Sequence, residues 1–228
     1  MARRKSLAFL DVGQGDCFAA DTKSGVIIFD GGSSSEDQVG RYRILPYMKY
    51  LGYQKIQIAV ISHMDVDHYS GIMELLEMGK IKYLGLPEIP KDEAMKKIIG
   101  IAKKRGTTIF YLSRGRQITT KDGSFKVLHP QKNSQMEKNA ASLVMQGKIL
   151  GYRVLLTGDV EKEGEEELLS EELERTDILK AAHHGSKNST SNEFLQKVQP
   201  KHTVISCGKQ NRYGHPHSET IHRLQTYH

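Results

Sequence analysis

Ser62-His63-Met64-Asp65-Val66-Asp67-His68-Tyr69-Ser70-Gly71 decides the reading of this chain, because residues 63–68 hold two imidazoles and two carboxylates in six positions. Carboxylates held this close raise one another's pKa and oppose folding. A divalent cation removes the conflict by making each group a ligand. Four protein ligands on one ion would leave no open position for chemistry, so two ligand pairs imply two ions. His63 and Asp65 alternate on an extended stretch and suit one ion; Asp67 and His68, adjacent where a helix opens, turn toward a second. A loop rich in Asp and His by accident would have no matching ligand residues downstream.

Such residues recur. Working outward, apolar runs at 6–10, 26–29, 56–61, 153–156, 178–182 and 203–206 read as strands. They end in Asp11, Asp30, His63, Asp159, His183 and Ser206, each followed by a glycine-containing turn or a helix start. In open α/β sheets the carboxyl ends of strands gather at one edge, where ligands bind. Six such ends therefore read as one site, although Asp30 serves equally well as a turn residue. Asp159 is a lone carboxylate whose two oxygens can bridge two cations, and His183 or His184 completes the second ion. Two ions about 3.5–4 Å apart hold a hydroxide at neutral pH and clamp both oxygens of a displacement. The mixed His and Asp set suits Zn²⁺ or Mn²⁺, with the carboxylate content tilting it toward Mn²⁺.

Further strands are expected at 17–20, 83–87, 107–112 and 142–146, with a hairpin formed by 118–123 and 125–129. Helices are expected at 43–51, 72–78, 93–104, 161–173 and 192–198, and a last one from residue 219 with Ser218 as its N-cap. No linker, low-complexity tract or repeat interrupts them. The economical organisation is one domain over 1–228, with two packed sheets and helices outside.

The composition, 38% hydrophobic and 26% charged, is that of a globular domain. The net charge of +6 hides an asymmetry. Residues 161–177 take nine of the 27 acids and two of the 33 bases, so the remainder carries 31 bases against 18 acids, or +13. That favours a polyanionic substrate, although plain solubility charge gives the same counts. Cys17 and Cys207 cannot build a disulfide framework and read as small buried residues. The basic start, Met1 to Lys5, precedes only four apolar residues, too few for a secretory segment. No run approaches the ~20 residues of a membrane helix. The chain reads as soluble: cytoplasmic if it stands alone, extracytoplasmic if cut from a larger membrane protein. Gly13 and Gly15 do not make a phosphate loop, since no helix or Lys-Ser/Thr pair follows.

His63 to His68 resembles the His-x-Asp-x-Asp-His signature of the metallo-β-lactamase superfamily. The stretches 9–16 (FLDVGQGD), 156–159 (LTGD), 183–186 (HHGS) and 213–216 (YGHP) resemble the branch typified by the hydrolase domain of the competence DNA-uptake protein ComEC. The resemblance implies a four-layer αββα sandwich with a dinuclear site at one edge, and a nuclease that degrades the DNA strand not imported. It makes His63, Asp65, Asp67 and His68 the first metal motif, Asp159 the bridging ligand and His183 the last, with His184, Asp16, Asn139 and Ser142 as further metal or supporting candidates. Asp67, Asp159 and His215 become the catalytic candidates; Ser186, Lys187, Asn211, Tyr213 and His215 become the substrate-binding ones. One departure stands out. Most of the superfamily has a histidine between the first motif and the bridging aspartate, whereas residues 139–144 offer only Asn139 and Ser142, so the first ion is expected to be weaker or exchangeable.

The expected function is a metal-dependent phosphodiesterase acting on DNA or RNA, motivated also by Lys187, Lys209 and Arg212 beside the late motifs. His215 would contact phosphate or protonate the leaving oxygen, or else be a loop histidine fixed by Pro216. Two alternatives remain at this level. A hydrolase of small esters or lactams predicts an apolar pocket and little salt dependence, whereas phosphate binding weakens steeply with salt. A nucleic-acid- or protein-binding module would carry a defective site.

Overall fold

Alternation within single strands builds the layers. In strand β2 (Phe18–Thr22) and strand β3 (Gly25–Phe29), Ala19, Val26 and Ile28 join one buried cluster, while Phe18, Ala20, Ile27 and Phe29 join another. Successive side chains of a strand leave on opposite faces, so both faces of this sheet are covered. The computed structural model describes residues 5–227; residues 1–4 and His228 lie outside the described residues.

The first sheet runs in the order β1 (Ser6–Phe9), β2, β3, β4 (Ile56–Val60), β5 (Ile81–Pro87), β6 (Thr108–Leu112). It is antiparallel through β3 and parallel from β3 to β6. The second runs β12 (His202–Val204), β11 (Ile178–Lys180), β10 (Tyr152–Leu156), β9 (Val144–Ile149), β8 (Gly123–His129), β7 (Gln117–Thr120). It is antiparallel from β7 to β10 and parallel from β10 to β12. Phe18, Phe29 and Val60 of the first sheet meet Phe125, Val127 and Leu156 of the second in one core between them. Helices α1 (Leu45–Tyr50), α2 (Val66–Glu77) and α3 (Glu93–Lys104) cover the outer face of the first sheet through Met48, Ile72, Leu75 and Ile98. Helices α4 (Glu163–Leu169), α5 (Asn192–Val198) and α6 (Ser218–Thr226) cover the second through Leu168, Phe194 and Leu224. This is the αββα sandwich that the sequence resemblance implied. No helix among the described residues is long and apolar enough to cross a membrane.

Several boundaries differ from expectation. The helix expected at 72–78 begins at Val66, after an extended Asp65 (φ −105°, ψ 147°). Its first turn looks polar in sequence because it carries the site. Gly71 lies inside this helix, and glycine is needed there because a Cβ would stand 2.6 Å from the Gly31 carbonyl oxygen and 2.8 Å from the Gly40 nitrogen. The helix expected at 161–173 shrinks to α4, because Lys162 takes a left-handed φ of 48° and breaks its start. A π-helical turn, Gly40–Ile44, precedes α1. In α6 the N-cap is His217 rather than Ser218, whose hydroxyl donates to Glu219 instead.

Candidate metal centre

Parallel strands end on one side of each sheet, and the two sheets bring those ends together. The first sheet delivers Asp30 after β3 and His63 after β4, with Asp67 and His68 in the opening turn of α2. The second delivers Asp159 after β10 and His183 and His184 after β11. His183 and His184 both adopt left-handed backbone (φ 47° and 52°) within the turn Ala182–Gly185. Consecutive non-glycine residues in that region are strained, and such strain persists where a site over-determines it.

Each histidine of the centre has its Nδ1 occupied on the outer side. His68 donates from Nδ1 to Asp30 Oδ2 (3.0 Å), and His184 donates from Nδ1 to the Ser206 carbonyl (2.9 Å). His183 donates from Nδ1 to Glu161 Oε2 (2.9 Å), and His63 Nδ1 lies 3.0 Å from the Ser62 hydroxyl. For His68, His183 and His184, oxygen acceptors on Nδ1 leave the lone pair on Nε2, the arrangement that metal-ligating imidazoles show. The inner atoms, His63 Nε2, His68 Nε2 and His184 Nε2, are buried without a hydrogen-bond partner among the described residues, as is Asp159 Oδ1.

These inner atoms converge. Asp159 Oδ2 lies 3.2 Å from His68 Nε2 and 3.3 Å from His184 Nε2, and Asp67 Oδ2 lies 3.4 Å from His184 Nε2. A lone pair facing a carboxylate oxygen at that range is repulsive unless a proton or a metal cation lies among them. Tetrahedral ligands on bonds of ~2.1 Å stand ~3.4 Å apart, so the spacing fits a divalent ion. Among the described residues four overlapping groups have ligand atoms within 4.8 Å of one another: His63, His68 and Asp159; Asp67, His68 and His184; Asp16, Asp30 and His68; and Asp16, Asp159 and His184. Burial opposes charge on His68, but the Asp159 and Asp30 carboxylates outweigh it and hold its pKa well above the imidazole range. His184 is raised in the same way by Asp159 and Asp16. Burial likewise opposes ionisation of Asp159, and the two imidazoles overcome it and hold the carboxyl well below its usual range. A proton and a divalent cation therefore compete for the same lone pairs.

The other sequence candidates divide. His183 Nε2 is 3.8 Å from Asp159 Oδ2 and half-buried, so its approach is looser than that of His184. Asp65 sits on the rim, with Oδ2 3.5 Å from His63 Nε2 and Oδ1 3.2 Å from Lys138 Nζ. Ser142 is buried, and its hydroxyl accepts from the Asp159 amide (3.3 Å). Asn139 lines an adjoining groove with Asp65 and Glu161. Ser186 is buried, and its hydroxyl accepts from the Asn188 amide, which places it in the scaffold. Lys187 is exposed. Asn211 organises the loop 208–217 rather than facing outward. Tyr213 and His215 wall an open cleft of about 450 Å³ with Arg212, Asp67, Asp159 and His184. Asp11 only closes a turn, accepting from the Gly13 amide (3.0 Å).

Asp30, which the sequence left open between a site residue and a turn residue, is fully buried at φ 57° and fixes both His68 and the Ser62 amide (2.7 Å). A second buried charge was not legible as part of the site. Lys180, the last residue of β11, buries its ammonium against Asp16 and 3.8 Å from Asp159 Oδ1, and donates to the Gly158 carbonyl (3.3 Å). Burial opposes ionisation of Asp16, yet Lys180 and His184 hold its pKa down to about 2.

A sandwich whose strand ends gather imidazole and carboxylate ligands in this way defines a metal-dependent hydrolase scaffold. The metallo-beta-lactamase superfamily profile matches residues 10–209, and the chain belongs to that superfamily. ComE operon protein 3 of Bacillus subtilis (strain 168) is 36% identical over 237 residues, covering 96% of this chain and 30% of that protein. Recombination protein 2 of Haemophilus influenzae is 30% identical over 219 residues, with 96% and 26% covered. The chain thus spans less than a third of the length of these relatives. Among solved structures, the metallo-beta-lactamase fold protein YhfI from Bacillus subtilis superposes with a TM-score of 0.62 at 13% identity, over 97% of this chain and 93% of that one. Human tRNase Z, short form, gives 0.54 at 14% identity, over 90% and 92%. Likeness at that identity speaks for the fold alone.

Proposed function

We propose that this chain is a two-metal phosphodiesterase that cleaves DNA. The observation that carries the reading is the set of buried, unpartnered Nε2 atoms directed at Asp159 Oδ2 on the floor of an open cleft. His63, Asp65 and Asp159 would hold one ion; Asp67, His68, His184 and Asp159 the other, with His183 at its edge. Mixed imidazole and carboxylate donors fit Zn²⁺ or Mn²⁺. Such a pair of ions supplies a nucleophile from water at neutral pH and offsets charge on the phosphate.

The chain's own residues orient and position. Asp30, Ser206 and Glu161 fix the imidazole tautomers. Burial raises the Asp67 pKa, but His184 and His68 outweigh it, so Asp67 stays ionised and is placed to accept the proton of the attacking water. Burial and the neighbouring His183, His184 and His217 push His215 down to about 4. At neutral pH it is an uncharged imidazole, so its role is a hydrogen bond to a phosphate oxygen rather than protonation of the leaving group. Exposed Arg212, Lys209 and Lys187 supply positive charge near the cleft. The names of the relatives, among them competence protein ComA of Neisseria gonorrhoeae, 29% identical, favour DNA over a small ester.

The test is hydrolysis of single- and double-stranded DNA with added Mn²⁺ or Zn²⁺, comparing the parent with Asp159→Ala. Loss of the Asp159 carboxylate should lower the rate by roughly a thousandfold, given the several kcal/mol that a metal pair would contribute. Added salt should weaken binding steeply. A parent loaded with two ions per chain that leaves DNA and simple phosphodiesters intact would refute the proposal.

A further inference from the structure

The loop 208–217 carries an aromatic tier that phosphate cleavage alone does not call for. The Tyr213 ring lies nearly parallel to that of His215, with centroids 5.6 Å apart and planes at 21°. The Arg212 guanidinium stands 5.0 Å from the Tyr213 centroid and donates from Nη2 to the Tyr213 hydroxyl (2.9 Å). All three line the cleft that holds Asp67 and Asp159. Tyr213 remains 43% exposed.

The tier is built in advance. Asn211 Oδ1 accepts from the amides of Tyr213 (3.1 Å) and His215 (2.9 Å), while its Nδ2 donates to the carbonyls of Gly208 (2.8 Å) and His215 (2.6 Å). The loop is also seated on the turn that bears His183 and His184. The His217 amide donates to the Gly185 carbonyl (3.0 Å), and a Cβ on Gly185 would meet Pro216 Cβ at 2.7 Å. The stack is therefore held at a fixed distance from the metal ligands.

We propose that Arg212, Tyr213 and His215 form a stacking platform for one unpaired nucleobase beside the scissile phosphate, so that the substrate is single-stranded DNA. This rests on the phosphodiesterase reading above. Bases in a duplex are already stacked and paired and reach a protein ring only by flipping out, at a cost. A strand without a partner lays its bases on aromatic and guanidinium faces with little regard to sequence, at about 1–3 kcal/mol per base.

The test compares an oligothymidylate, its duplex with oligoadenylate, and an abasic oligodeoxynucleotide of equal length. Each is measured by kcat/KM with Mn²⁺ and by binding anisotropy without added metal, on the parent, Tyr213→Phe, Tyr213→Leu and Tyr213→Ala. The parent should favour the base-bearing single strand over the abasic one by about tenfold or more, within the range one stacked base supplies. Tyr213→Phe should keep that ratio. Tyr213→Leu and Tyr213→Ala should bring it close to one, with the salt slope unchanged because no phosphate contact is lost. A parent ratio near one, preference for the duplex, or a ratio that survives in Tyr213→Leu overturns the platform. If all oligonucleotides stay uncut with Mn²⁺ bound, the phosphodiesterase reading fails, while the anisotropy ratio still decides the platform. Should Tyr213→Ala fail to fold, Tyr213→Leu keeps much of the bulk and, compared with Tyr213→Phe, which also lacks the hydroxyl, isolates the loss of the π face.

Discussion

A lysine ammonium sealed beneath two carboxylates is stable only while its partners remain. Lys180 and Asp16 are both buried, and they come from different sheets: one ends β11, the other precedes β2. Removing one member of such a pair leaves an uncompensated charge and costs about 3–5 kcal/mol. Lys180→Met should therefore lower the urea-unfolding free energy of the metal-free protein by that order. Adding Asp16→Asn should recover part of the loss, a coupling that a double-mutant cycle reads directly. Nothing in the sequence around residue 180 announces this, because a lysine at the end of an apolar run looks like a solvent-facing terminus. The same limit applies to Asp30, whose role depends on a partner 38 residues away. The resemblance put His183 ahead of His184, whereas His184 approaches Asp159 more closely, an order that follows from two left-handed dihedrals that spacing does not encode.

The element that matters most is the first turn of α2, and its position is set by backbone touching backbone. The Asp16 amide donates to the Asp67 carbonyl (3.1 Å), the Gly32 amide to the Asp16 carbonyl (3.2 Å) and the Gly31 amide to the His68 carbonyl (2.9 Å). A Cβ on Gly32 would stand 2.5 Å from the Val66 carbonyl oxygen and 2.7 Å from the Asp67 carbonyl carbon. No side chain can move aside there, so Gly32→Ala must displace the turn that bears Asp67 and His68. Overpacking of this kind costs about 1–3 kcal/mol, and the metal stoichiometry measured after dialysis should fall below that of the parent. Gly100→Ala in α3 has no atom within 4 Å of the added carbon and should instead stabilise by about 1 kcal/mol. Helical periodicity was legible only from Ile72 onward, where side chains face the core. The turn before it is organised by ligand geometry and glycine contacts, which leave no periodic trace.

At the scale of the molecule, apolar alternation and the order of strands and helices made the two packed sheets legible, and the strand ends pointed to one site. The pairing of those ends was not, because which edge meets which depends on how the sheets face each other. His63 and His68 belong to the first sheet and its helix; Asp159 and His184 belong to the second. A ligand that binds only the folded state stabilises by RT ln(1 + [L]/Kd), about 2.7 kcal/mol at one hundred times Kd. For a chain of this size that corresponds to roughly 5–10 °C of melting temperature. Chelation should lower the calorimetric midpoint by that amount, as one cooperative transition rather than two.

Because the candidate ligands straddle the seam between the sheets, bound ions would act as rivets as well as reagents. Linkage is reciprocal for binding free energies, so whatever loosens the seam must loosen the ions by the same factor. Metal occupancy in this protein would then gauge how firmly its two halves are joined.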